Sequence, residues 1–101
     1  MEKNIFVVIL RYLVDKDIMS AARPAHLEFL KQHYTEGRFF ASGKQTSGNG
    51  GVILAKAPDR HTLLEILHQD PFYTENLVEF QVFEFAPHNF SPSFGQFMET
   101  F

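Results

Sequence analysis

The chain contains no cysteine. That excludes a disulfide framework, a thiolate nucleophile and a cysteine metal site, and it suits a reducing compartment such as the cytoplasm. Long hydrophobic runs are also missing. The longest early one, Ile5 to Leu10, spans six residues, too short for a membrane span or a typical signal-peptide core. No basic cluster stands out. Nine Lys and Arg stand against twelve Asp and Glu, for a net charge of −3, so nucleic acid is not an expected partner. There is no internal repeat and no low-complexity segment, and 101 residues correspond to one domain.

What the chain has in excess is phenylalanine, twelve in all. A domain of this size buries only about two-thirds of the surface its unfolded chain exposes. So many large apolar rings are hard for one copy to hide, which points to self-association.

The apolar, β-branched run Asn4 to Tyr12 predicts a first strand. Proline is tolerated only in the first turn of a helix, so the first helix is expected to begin within about three residues before Pro24 and to stop at Gly37. "RFFASGKQ" and "GVILAKA" read as the second and third strands, with the turn at Asn49-Gly50. Asp59 can cap a second helix, "RHTLLEILHQ", which Pro71 ends while pushing Asp70 toward an extended conformation. "LVEFQVFEF" is the fourth strand. Residues 1–89 form the domain and 90–101 a Phe-rich tail. In the tail Phe90, Phe94, Phe97 and Phe101 are spaced four, three and four apart, as on one helix face, but Pro92 and Gly95 oppose a regular helix. The tail is expected to pack on its own subunit or a partner, either as a helix or as an irregular segment anchored by its rings.

The order strand, helix, strand, strand, helix, strand is the ferredoxin-like split βαβ arrangement. The fold class is α+β, with a four-stranded antiparallel sheet in spatial order 4-1-3-2 and both helices on one face. The first strand is apolar at every position from Ile5 to Leu10, and Val52 to Ala55 repeat the pattern, so both sheet faces want burial. No further element looks long enough to cover the second face. A homodimer with sheets packed face to face would do so, and a charge at Val7 or Val8, depending on register, would disrupt it.

The first helix poses a specific problem. On a helical wheel Leu27, Leu30, Tyr34, Ala22 and Phe29 share a broad apolar arc, and both His26 and Arg23 fall inside it. Chain direction supplies an answer. The start of the first helix, the end of the second and the turn between the middle strands all lie at one end of the sheet. Asp70 therefore meets His26, and Arg23, Ser42, Gly43, Phe72 and Tyr73 converge there. A carboxylate beside an imidazole fixes its tautomer and favours the protonated form, leaving the other ring nitrogen for proton exchange with a ligand. Two readings stand side by side. The pair is a catalytic dyad, with Arg23 attracting an anionic or phenolate oxygen and Phe72 and Tyr73 walling a pocket, or it is a satisfied polar contact tying two helices together.

Other constellations are weaker. His26 and His33, like His61 and His68, lie seven residues apart, about 10 Å along a helix and too far to share one ion. No metal and no cofactor is expected, and His33, His61 and His68 read as surface or helix-edge residues. "SGNGG" joins two strands and lacks the helix and lysine of a phosphate loop. Ser42 and Ser47 lie near the dyad end, but nothing marks an oxyanion hole.

"RPAHLEFLKQHYTEGRFFASG" followed by "DPFYTENL" resembles the YciI-like, or YCII-related, family. The likeness runs from Ile5 to about Phe85. It implies a dimeric α+β barrel and makes His26 and Asp70 an active-site dyad. One branch of the family resembles dehydrochlorinases of chlorinated hydroxyhydroquinones. The chemistry this implies is proton transfer (elimination, isomerisation or dehydrochlorination) on a small anionic or phenolic molecule. The alternative is a non-catalytic module that binds a metabolite or anion.

Overall fold

A computed structural model describes residues 4–99. Strand β1 covers Asn4–Tyr12, as its composition predicts. Helix α1 covers Lys16–Thr35, and thus begins well before Pro24, contrary to the expectation from proline. Asp15 supplies the reason. Its side chain accepts the amide of Ile18 at 3.2 Å, and the extra turns bury Met19 in the core. A good cap and a buried apolar residue offset the roughly 3 kcal/mol that an interior proline costs. At the other end Gly37 takes a positive φ of 78°. The amides of Gly37 and Arg38 bond back to the carbonyls of Tyr34 and His33, closing a Schellman motif.

Strands β2 (Phe39–Lys44) and β3 (Gly50–Ala57) pair antiparallel, with a bulge between Phe39 and Ala41. The turn between them is not the two-residue Asn49-Gly50 turn. The chain reverses over Gln45 to Gly48, where Gly48 has φ 90°. Gly50 belongs to the ladder instead, because a Cβ there would collide with the carbonyl oxygen of Leu10.

Asp59 caps α2 (Arg60–Leu67), accepting the amide of Thr62 at 2.7 Å. The hydrogen bonds from Thr62 hold the Asp59 carboxyl below its ordinary pKa. The next helix, α3, is one turn, Pro71–Thr74, capped by Asp70 in an extended conformation. Glu75 is its C-cap, and the φ of 61° at Asn76 just beyond lets Leu77 bond back to Phe72. Strand β4 is Val78–Phe85 and helix α4 is Pro92–Glu99.

The sheet order is β2-β3-β1-β4, all antiparallel, the ferredoxin-like arrangement. Phe6, Val8 and Leu10 point to the helices and join Phe29, Phe39, Leu63, Leu67 and Phe72 in the core. The alternate residues Ile5, Val7 and Ile9 point to the other face. That face is partly covered from within the chain, which corrects the expectation that no element could reach it. Within the tail Pro92–Glu99 form a regular helix, α4, which lies at the corner of Phe40 and Lys56. The Phe40 ring meets Phe97 at 4.8 Å and Phe94 at 6.5 Å. Lys56 donates to the Phe97 carbonyl at 2.9 Å and lies 3.9 Å from its ring centre. Phe101, the last ring of the tail pattern, lies outside the described residues. No helix among the described residues is long and apolar enough to cross a membrane.

Candidate active site

His26 is 7 % exposed and Asp70 is fully buried. Nδ1 of His26 lies 2.8 Å from Oδ1 of Asp70 and 3.0 Å from Oδ2. The carboxylate is fixed in turn, because the amide of Phe72 donates to Oδ1 at 2.9 Å. Pro71 contributes to this placement. It holds Asp70 extended and opens α3 at once, so the carboxylate is both helix cap and histidine partner. The Phe72 ring stacks on the imidazole at 3.8 Å and 5°. Carboxylate and stacked ring together fix the imidazole, with Nδ1 engaged by Asp70 and the residue lining a cavity.

This cavity, of about 180 Å³, opens between α1 and strands β2 and β3. Arg23, Ser42, Gly43 and Phe72 line it with His26, as the topology requires. Two sequence expectations need correction. Tyr73 does not wall the cavity: its ring stacks on His68 at 4.3 Å and on Phe80 at 5.5 Å. Successive residues of the single turn α3 point in different directions, and Phe72 takes the inward one. Leu27 and Tyr34, placed on the apolar arc, are 51 % and 39 % exposed. Leu27 rims the cavity and Tyr34 shares a hydrogen bond with the hydroxyl of Ser42. Ser42 is thus engaged by Tyr34 rather than by His26.

Tyr12 and Lys44 also line the cavity and are not among the site residues expected from the sequence. Tyr12 ends β1 and Lys44 ends β2, both at the dyad end, so the same topology could have found them. The Tyr12 ring meets Phe72 edge-on at 6.3 Å. His33 is a further correction. It is 2 % exposed, not at the surface. Among the described residues no group of three or more His, Cys, Asp or Glu could hold a metal ion.

Comparison with known proteins adds the following. No curated protein matches this sequence. Among solved structures the fold is similar to the 5-chloro-2-hydroxyhydroquinone dehydrochlorinase TftG from Burkholderia phenoliruptrix AC1100, in complex with 2,5-dihydroxybenzoquinone. The TM-score is 0.71 at 14 % identity, covering 83 % of this chain and 95 % of that one. The sequence profile of the YCII-related domain matches residues 5–86, nearly the whole described fold, and the chain belongs to the YCII-related domain family.

Proposed function

We propose that this chain is a small-molecule enzyme that moves a proton with the His26–Asp70 dyad. One observation carries the reading: a fully buried carboxylate at 2.8 Å from Nδ1, with the ring clamped by Phe72 beside a cavity that His26 lines. Asp70 keeps the proton on Nδ1 and stabilises the imidazolium that forms when Nε2 takes one from a ligand hydroxyl or carbon. The proton then returns to another position, or stays while a leaving group such as chloride departs with the electron pair of its bond. Arg23 attracts the phenolate or other anionic oxygen. The same fold in a dehydrochlorinase bound to a dihydroxybenzoquinone supports a small oxygenated ring as the kind of ligand, and the cysteine-free composition supports a cytoplasmic setting.

The test starts from ligand that copurifies with native protein, identified by mass spectrometry, together with hydroxylated and chlorinated quinols as probes. In D₂O the wild type should exchange ligand protons or release chloride. His26→Ala should abolish this while circular dichroism stays native. A wild type inert toward every probe and toward its copurified ligand would overturn the reading.

The open sheet face supports a homodimer around this site. Val7, Ile9, Val52 and Leu54 are only half-buried at its centre, and Phe83 and Phe85 are 52 % and 49 % exposed. Register now decides which valine to change. Val8 faces the core, whereas Val7 faces the open side, so Val7→Lys should dissociate the dimer and leave a folded monomer. Sedimentation of the wild type as a stable monomer at micromolar concentration would remove the dimer.

A further inference from the structure

A second cavity, of about 410 Å³, adjoins the first at the N-terminal turns of α1 and the β2–β3 hairpin. Tyr12, Arg23 and Lys44 line both. Its distinguishing feature is charge. Arg11, Lys16, Arg23 and Lys44 border it, with Asp15 as the one acidic residue. Those are four of the nine Lys and Arg in a chain whose net charge is −3, so the concentration is local and not a basic background. Arg11 is engaged by Glu79 at 2.8 Å. Asp15 is engaged as the cap of α1. Lys16, Arg23 and Lys44 form no ion pair among the described residues. Three unpaired cations around one concavity repel each other, and an oxyanion placed among them relieves that repulsion.

Building on the dyad reading, we propose that the ligand of the His26 site is bipartite. A flat ring lies against His26 and Phe72 in the smaller cavity, and an oxyanion carried on that ring is held by Lys16, Arg23 and Lys44 in the larger one. The two compartments total a volume ordinary for a small-molecule site, whereas the dyad cavity alone is small for one. Arg23, which borders both, sits at the junction. The chemical class is an aromatic or quinoid acid: a ring bearing a carboxylate or phosphate. Lys16 and Lys44 read the charge and select the substrate, while His26 does the chemistry.

The test is an NMR titration of ¹⁵N-labelled protein with benzoate, phenyl phosphate, benzyl alcohol and inorganic phosphate. Benzoate and phenyl phosphate should shift the amides of Lys16, Arg23 and Lys44 together with the His26 ring, and whichever binds tighter identifies the oxyanion. Benzyl alcohol, which has the ring without the charge, should bind at least tenfold more weakly. So should inorganic phosphate, which has the charge without the ring. The double variant Lys16→Gln, Lys44→Gln changes two exposed side chains and should keep its fold. It should lose at least tenfold in affinity for benzoate, and wild-type affinity should fall as salt rises. Equal affinity for benzoate and benzyl alcohol, equal affinity for phenyl and inorganic phosphate, or unaltered benzoate binding by the double variant would each overturn the proposal. Failure of the dyad reading gives a different pattern: the aryl anions bind as described, yet His26→Ala changes no reaction of any ligand.

Discussion

His26 and His33 lie seven residues apart on α1, and both rings pack against Phe29, at 6.5 and 4.8 Å. Both are buried. The difference is in what meets their nitrogens. His26 has the Asp70 carboxylate at 2.8 Å and a cavity on its other side. His33 has the rings of Phe29 and Phe39, the latter at 5.0 Å, and neither of its nitrogens has a hydrogen-bond partner among the described residues. Burial, and secondly the charge of Arg38, lower the His33 pKa from its ordinary 6.5. His33 is therefore held as a neutral flat ring, a packing piece, whereas His26 has a buried carboxylate against its Nδ1. Residue type and helix face are the same for both. The partner 44 positions away gives one of them a polar contact that the other lacks.

The most direct way to break this comparison is to make His26 resemble His33. Asp70→Ala removes the acceptor and also the cap of α3, since Oδ1 holds the amide of Phe72. We expect a loss of about 3 kcal/mol, the usual scale for stranding one partner of a buried pair, read by urea denaturation. Asp70→Asn keeps an oxygen for that amide, so it should cost less stability while still disabling proton transfer. A loss below about 1 kcal/mol for Asp70→Ala would show that the pair carries little of the fold.

Acid gives a smaller effect and acts on the other histidine. His33 has a lowered pKa in the folded state. As pH falls below 6.5 the unfolded chain gains a proton at this position that the folded chain resists. The stability present above pH 6.5 is then lost progressively as pH falls to the folded-state value. His33→Leu should flatten this part of the profile, because the other four histidines are common to both proteins. Urea denaturation at pH 7.5 and 5.0 decides it: the wild type should lose more stability than the variant between the two. Equal losses would assign the acid sensitivity elsewhere.

The contrast also marks where the sequence was legible. The His26–Asp70 contact followed from element order and chain direction, because a ferredoxin-like sheet brings the start of one helix and the end of the other to the same end. The bounds of β1 followed from its β-branched run. The start of α1 did not, because the cap at Asp15 and the burial of Met19 outweigh the cost of an interior Pro24. The hairpin turn departs from a local preference. Asn-Gly suits a two-residue turn, but close approach to Leu10 commits Gly50 to the sheet. The burial of His33 is not legible in the sequence, because its environment is made by Phe39 beside a bulge and by the Schellman turn that brings β2 back onto α1, features that no helical wheel contains. The place of Tyr73 is hidden for a similar reason, since one turn of helix sends neighbouring residues to different surroundings.

The smallest effect sharpens the comparison most. At neutral pH His33→Leu removes two ring nitrogens that have no described partner and replaces them with apolar volume. Deleting an unsatisfied buried polar group relieves its desolvation cost, while the branched side chain gives up the flat-ring contacts with Phe29 and Phe39. The two terms oppose, and the net change should stay within about 1 kcal/mol. The same replacement at His26 leaves a fully buried Asp70 with only the Phe72 amide to satisfy it. It should cost about 2 kcal/mol or more. Urea midpoints of the two single variants at pH 7.5 therefore compare one chemical change in two environments on one helix. If the two leucine variants lose equal stability, His33 has a polar partner after all, and the division between a working imidazole and a packing imidazole fails.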